Sequence, residues 1–267
     1  MLYLFFLFAP LFGEPLHYIE DFAFNSVVHV LEVDLSKYSM ELIKCDGLET
    51  TSAIAKKFDA DAAINGGFFK ENGVPSGIFK LHSIQYTPTD RKRGAIGWRS
   101  DGSDILIDRL DTKKDGSLLP LFHPENSLRF EAMETILGTT PVLVMDGNIL
   151  SNFEEEKVLP SFITNRHARS AVGWRDPSHI IFVVVVKDFE GKSEGMSLFD
   201  LAQYFHSLGA KFAINLDGGS SSTLYLKGKK LTLFNLQLVY GEREVGNVIL
   251  LKARNEFYNS TRHLSEG

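Results

Sequence analysis

Ala213-Ile214-Asn215-Leu216-Asp217-Gly218-Gly219-Ser220-Ser221-Ser222-Thr223 is the stretch that decides how this chain is read. The apolar segment Phe212 to Ile214 stops at a polar, glycine-rich bend carrying one carboxylate, one amide and four hydroxyls within nine residues. Asn and Asp at a strand tip, followed by paired glycines, let backbone N–H groups face a ligand. No other segment concentrates as much chemistry. The first candidate site therefore centres on Asp217, with Asn215 beside it, Gly218 and Gly219 as close-approach backbone, and Ser221 and Ser222 as hydroxyl contacts.

Two echoes of this stretch and its surroundings lie elsewhere in the chain. Ala63-Ile64-Asn65-Gly66-Gly67 repeats its strand-to-glycine transition, and each copy follows an expected helix, Ser52 to Phe58 and Leu198 to Leu208. Arg93-Gly94-Ala95-Ile96-Gly97-Trp98-Arg99 matches Arg169-Ser170-Ala171-Val172-Gly173-Trp174-Arg175 nearly position for position. The two kinds of echo occur in opposite order in the two halves, so this is no tandem repeat. Duplicated strand units gathered around one cleft explain both. Chance recurrence is a credible rival for the shorter echo and not for the one containing tryptophan.

Around these units the patterning predicts strands at Val27–Leu35, Met40–Lys44, Ala62–Ile64, Ile78–Leu81, Ala95–Trp98, Ile105–Asp108 and Ile180–Val186. Further strands are expected at Leu224–Leu226, Leu231–Phe234, Leu236–Tyr240 and Val248–Leu251. Val142–Met145 and Ile149–Leu150 flank Asp146-Gly147, a hairpin signal. In the Leu198 to Leu208 helix, Leu198, Leu201, Ala202, Phe205 and Leu208 form one stripe, Ser197 caps the start and Gly209 the end. Residues 111–120 and 152–166 read as polar loops, the best candidates for substrate-facing insertions. The expected fold class is α/β of the α+β kind. Residues 14–267 would form one domain, a mixed, mostly antiparallel sheet core flanked by a few helices.

Composition narrows the partners. The 267 residues are 44% hydrophobic with a net charge of -6 and a pI near 5.8, which argues against nucleic acid even though Arg91-Lys92-Arg93 is locally basic. The single cysteine, Cys45, excludes an intrachain disulfide and a cysteine-based zinc site. The histidines show no metal-like spacing, so no zinc and no cofactor is expected; an oxygen-ligated cation at Asp217 fits the residue type without further support. Leu2 to Phe12 is an apolar run of signal-peptide length followed by Gly13-Glu14-Pro15. Residues 1–13 are therefore expected to direct export to a secreted or periplasmic location, although no Lys or Arg precedes the run. No other stretch resembles a transmembrane helix, so no membrane insertion is expected once the signal is removed.

Six ordered blocks carry a family resemblance: Asn65-Gly66-Gly67-Phe68-Phe69, Gly138 to Leu150, His167 to Gly173, Gly195-Met196-Ser197-Leu198, Asn215 to Thr223, and Arg243-Glu244-Val245-Gly246-Asn247. With them, roughly Val27 to Leu251 resembles the phosphodiester glycosidase family. Ser220 stands where the family usually has a third glycine, Ala168 where it usually has proline, and Lys187-Asp188-Phe189 where it usually has Val-Asp-Gly-Arg.

The resemblance implies hydrolysis of a sugar-1-phosphodiester, of the N-acetylglucosamine-1-phosphodiester kind, at the anomeric carbon, with release of free sugar. Its partner would be a glycan phosphodiester or sugar phosphate. A phosphate leaving group is weakly basic, so the site needs a carboxylate near the oxocarbenium-like centre more than a general acid. Asp217 is expected to be that carboxylate, with an Asx turn as the structural alternative. Arg169 suits bidentate phosphate recognition and Arg243 is a second phosphate candidate. His167 is a candidate general acid or phosphate donor. Asn65 and Asn215 are expected to face the cleft, and Gly66, Gly67 and Asn247 to line the substrate site. Ser221 lacks the Gly-x-Ser-x-Gly elbow of a hydrolase nucleophile. Asp188, Glu190, Glu194 and Glu242 are unplaced candidates for a second carboxylate. The alternatives are a non-catalytic glycan-binding module and a phosphodiesterase that cleaves the P–O bond.

Overall fold

Strands rich in β-branched and aromatic residues, alternating between two faces, build three sheets. The computed structural model describes residues 15–176, 178–188, 191–227, 234–235 and 242–254. The expected leader and the Leu236–Tyr240 strand lie outside the described residues, as does Leu231–Phe234 except for its last position.

The largest sheet runs, in spatial order, Leu16–Ala23, Ser26–Asp34, His179–Val185, Arg169–Asp176, Phe212–Asn215, Val142–Met145 and Asn148–Ile149. A second orders Ile84–Thr87, Phe79–Leu81, Thr135–Gly138, Arg93–Trp98, Ile105–Thr112 and Leu118–Pro120. A third orders Phe234–Asn235, Thr223–Leu226, Ala62–Asn65, Glu244–Ala253 and Tyr38–Thr50. Every registered pair among these strands is antiparallel, so the fold is α+β and the mixed component of the expectation has no counterpart among the described strands.

All three sheets turn one face to a common core. The echoed residues meet there: Ile64 and Ile214, Ile96 and Val172, Trp98 and Trp174 all belong to it, with Phe79 and Phe182 between them. Each such side chain contributes roughly 1.5–3 kcal/mol on burial. The duplicated strand units thus lie in different sheets and share one interior. A second core forms where the helix Leu198–Ser207 lays its apolar stripe on the outer face of the largest sheet, with Leu198, Leu201, Ala202 and Phe205 against Leu143, Val183 and Ala213. Ser197 accepts from the Asp200 N–H while Asp200 accepts from the Ser197 N–H, a reciprocal cap. Gly209 closes the helix at φ +75°.

Both segments expected to be loops carry structure. Leu118–Pro120 returns as a strand against Ile105–Thr112. Within 152–166, a short turn at Phe153–Glu156 and a helix at Pro160–Thr164 bury Phe153, Glu156 and Ile163. These segments lack periodicity because their few buried residues anchor single turns. The strand Leu16–Ala23 also escaped the pattern, since Glu20 and Asp21 interrupt it; it is an edge strand, where one face remains solvated.

Candidate active site

The strands Ala62–Asn65 and Phe212–Asn215 end side by side, and their glycine-rich bends are tied to each other. Asp217 donates its N–H to the Gly66 carbonyl at 3.1 Å, and Asn65 Nδ2 donates to the Asp217 carbonyl at 2.7 Å. Asn65 Oδ1 accepts from Ser170 Oγ at 2.7 Å and from the Thr223 N–H at 3.1 Å. Asn215 Nδ2 donates to the carbonyls of Thr140 at 2.8 Å and Leu216 at 2.6 Å. Both asparagines are fully buried, which corrects the expectation that they face a cleft. Backbone groups at a convergence of three sheets must be paired away from water, and the amides supply that pairing.

The glycines separate in the same way. A Cβ on Gly66 would fall on Asn247 Oδ1 and lie 3.1 Å from the Asn247 carbonyl; one on Gly67 would lie 2.9 Å from the Gly138 carbonyl. Buried Asn247 accepts from the Gly67 N–H at 2.8 Å and returns Nδ2 to the Gly67 carbonyl at 3.2 Å. Gly66, Gly67 and Asn247 therefore clamp the bend rather than line a substrate surface. Gly218 is packed against the Ala168 carbonyl, 2.9 Å from its virtual Cβ, whereas Gly219, at φ +61°, has nothing within 4 Å of that position. Ser222 is buried and its Oγ finds no partner among the described residues.

Asp217 is the ionisable group this scaffold presents. Its side chain is 15% exposed, and Oδ2 accepts from Ser221 Oγ at 2.7 Å and lies 4.0 Å from Arg243 Nη1. Burial pushes its pKa up to about 6, against the opposing effects of the Ser221 hydrogen bond, the Arg243 charge and the Gly218 N–H. Arg243 is 45% exposed and donates through Nη1 to Ser221 Oγ at 2.8 Å and Ser220 Oγ at 3.3 Å, with its guanidinium 5.3 Å from the Phe69 ring centre. Ser221 itself is fully buried, so it orients Asp217 and Arg243 rather than meeting a ligand.

Arg169 departs from its expected role. It is fully buried, with Nε donating to the Met196 carbonyl at 2.9 Å and Nη2 to the carbonyls of Phe162 at 2.8 Å and Asn165 at 3.0 Å. Its guanidinium lies 4.5 Å over the Phe162 ring, and Nη1 has no partner. Three carbonyls occupy the Nε and Nη2 edge, and burial closes the remaining Nη1 to solvent. Burial draws its pKa down to about 10. His167 stacks on the same Phe162 ring at 6.4 Å, and burial first, then the charges of Arg169 and Lys187, hold its pKa below the ordinary histidine value.

The unplaced carboxylates have other partners. Glu194 pairs with Arg166 at 3.3 Å, Glu242 accepts the Ser52 N–H at 2.9 Å and Asp188 accepts the Lys192 N–H at 2.9 Å; Glu190 lies outside the described residues. Sequence reasoning missed Phe162, Ser170, Thr139 and Thr140, which support the site through stacking and single hydrogen bonds and belong to no periodic pattern. Among the described residues, no cluster of three or more His, Cys, Asp or Glu side chains is placed to hold a metal ion, and no helix is long and apolar enough to cross a membrane.

The described site is thus a partly buried carboxylate beside a half-exposed arginine, held on a strand-end bend where antiparallel sheets converge. The family model described as phosphodiester glycosidase matches residues 58–252, and the chain belongs to that family. Among solved structures, a hypothetical protein from Synechocystis is similar over 91% of this chain and 64% of its own, at 21% identity and a TM-score of 0.74. The chain thus spans just under two thirds of that protein. The catalytic domain of zebrafish N-acetylglucosamine-1-phosphodiester alpha-N-acetylglucosaminidase, auto-inhibited by its pro-peptide, is similar over 91% of this chain and 85% of its own, at 20% identity and a TM-score of 0.63. At these identities the two structures share the fold. No curated protein sequence matches the chain.

Proposed function

We propose that this protein hydrolyses a sugar-1-phosphodiester at the anomeric carbon, releasing free sugar and a phosphomonoester. The observation that carries the reading is the Asp217 carboxylate, fixed by Ser221 next to half-exposed Arg243. In this reading ionised Asp217 stabilises the positive charge that develops at C1 as the C1–O bond breaks, and water supplies the new sugar hydroxyl. Arg243 takes the phosphate-facing role that the sequence assigned to Arg169. Arg169, whose charge is offset in part by Asp200, serves as a structural tie between Met196, Phe162 and Asn165. His167, held toward its neutral form, serves as a hydrogen-bond donor at the rim. Membership of the phosphodiester glycosidase family supports the reaction class, and an N-acetylglucosamine-1-phosphodiester is the substrate class to try first.

The test is incubation of the full chain with UDP-N-acetylglucosamine and simple N-acetylglucosamine-1-phosphodiesters in heavy-oxygen water, beside Asp217→Asn. Label in the released sugar, with loss of turnover in the variant, is the expected result. Label in the phosphate would identify P–O cleavage, and saturable binding without turnover would identify a binding module; either outcome overturns the proposal.

A further inference from the structure

Glu156 is a fully buried carboxylate on the short turn Phe153–Glu156, outside the bends that carry the site. Its Oε2 accepts from the Gly94 N–H at 2.7 Å and from Thr140 Oγ1 at 2.8 Å; its Oε1 accepts from the Val142 N–H at 3.0 Å and from Arg109 Nε at 3.2 Å. Arg109 is equally buried and reaches Glu155 Oε2 at 2.7 Å as well. Such a group is expensive to desolvate, and a buried ion pair is weak evidence for stability in its own right. The interest lies in what it holds.

Three of the four donors come from Gly94 and the segment Thr140–Val142. That segment is the seat of the catalytic bend. The Thr140 carbonyl accepts from Asn215 Nδ2 at 2.8 Å, Thr139 Oγ1 donates to the Asn215 carbonyl at 2.7 Å, and the Pro141 carbonyl accepts from the Asn215 N–H at 2.9 Å. Asn215 stands two residues before Asp217. A continuous run of short hydrogen bonds thus leads from the Glu156 carboxylate, through Thr140, to the backbone from which Asp217 projects.

We propose that Glu156 is a positioning residue for Asp217, acting through Thr140 and Asn215; the proposal rests on reading Asp217 as the working carboxylate. Both carboxylate oxygens are filled by donors, so an amide in the same place must turn an NH2 toward either the Gly94 and Thr140 donors or the Val142 and Arg109 donors. The strain falls on 140–142 and passes to the Asn215 seat.

The test compares Glu156→Gln with Thr140→Val, which removes one bond of the run, and with Phe130→Leu. Phe130, on the helix Ser127–Ala132, is buried in a separate cluster packed on the second sheet and serves as a core-packing control. Two readouts are taken: steady-state kinetics on the substrate that proves active, and titration of the Asp217 carboxyl by carbon NMR. Glu156→Gln and Thr140→Val are expected to lower kcat by on the order of 10- to 100-fold with KM within about threefold. Both are also expected to move the Asp217 titration midpoint, while Phe130→Leu leaves kcat and the midpoint in place. An unmoved midpoint in both variants, or equal shifts in Phe130→Leu, would overturn the positioning role. If the wild type turns over no sugar phosphodiester, the functional reading fails and the titration still decides whether Glu156 controls Asp217. Should Glu156→Gln not fold, Thr140→Val carries the same two expectations.

Discussion

Ser221 Oγ donates to Oδ2 of Asp217 at 2.7 Å, from a position closed to solvent. One hydroxyl therefore fixes one carboxylate oxygen, while Arg243 donates to that same hydroxyl at 2.8 Å. The carboxylate, the hydroxyl and the guanidinium form a short relay whose members respond differently to substitution.

Asp217→Asn should abolish turnover while stabilising the protein at neutral pH. The folded carboxyl holds its proton to about pH 6 against an ordinary value of 3.8. Its folded-state pKa is raised, so the neutral form is favoured in the fold. Stability from this group is complete below the unfolded pKa and is lost as pH rises toward and through 6. At pH 8 the ionised group costs on the order of 2–3 kcal/mol, which the asparagine avoids. Thermal unfolding should show Asp217→Asn ahead of the wild type at pH 8 and level with it near pH 4. The reverse order would show that the ionised form is favoured in the fold.

If the ionised carboxylate is the working form, kcat/KM should rise with pH through a single midpoint near 6. A rate that falls through that midpoint would assign the proton-bearing form to the chemistry.

Arg243→Met removes a charge that opposes the upward shift of Asp217. The rate midpoint should move to higher pH, and KM for a phosphodiester should rise by about tenfold or more, as expected for loss of a charge-assisted phosphate contact. Because Arg243 is half exposed, the melting temperature should change little. A variant with an unchanged KM would remove Arg243 from phosphate binding.

Arg169→Met should behave in the opposite way. It leaves three carbonyls without their donor, that of Met196 buried and those of Phe162 and Asn165 partly so, for a cost of roughly 2–3 kcal/mol. Denaturant unfolding should register that loss. A KM effect in a variant of undiminished stability would restore Arg169 to direct substrate contact.

Gly66→Ala and Gly219→Ala separate a packing glycine from a conformational one. The first forces a methyl into Asn247 and should cost about 3 kcal/mol. The second meets open space and bears only the positive φ, about 1 kcal/mol. Equal losses would contradict the difference in surroundings.

Much of this architecture was legible in the chain. Ser197 and Gly209 bracket their helix because capping chemistry is local. The asparagine-tipped strands and the tryptophan strands were visible as echoes because duplicated units keep their core residues. The roles at the tips were less legible. Asn65 and Asn215 have residue types suited to a ligand, and only the convergence of three sheets shows that backbone carbonyls take the Nδ2 group of each. Arg169 reads as a phosphate fork until Met196, Phe162 and Asn165, distant or irregular in sequence, fill it. Glu156 leaves no signal at all, since a single buried charge has no period.

The cross-tie between the two bends has a consequence for how the molecule is made. Gly66 meets Asp217, and the bend that carries Gly66 is held by Asn247, in the last strand of the third sheet. A nascent chain that has emerged only as far as the first bend has neither partner. The paired bends are thus built only after nearly the whole described chain is available, and a truncated translation product ending before Asn247 would leave the ribosome without the clamp that holds Gly66 and Gly67.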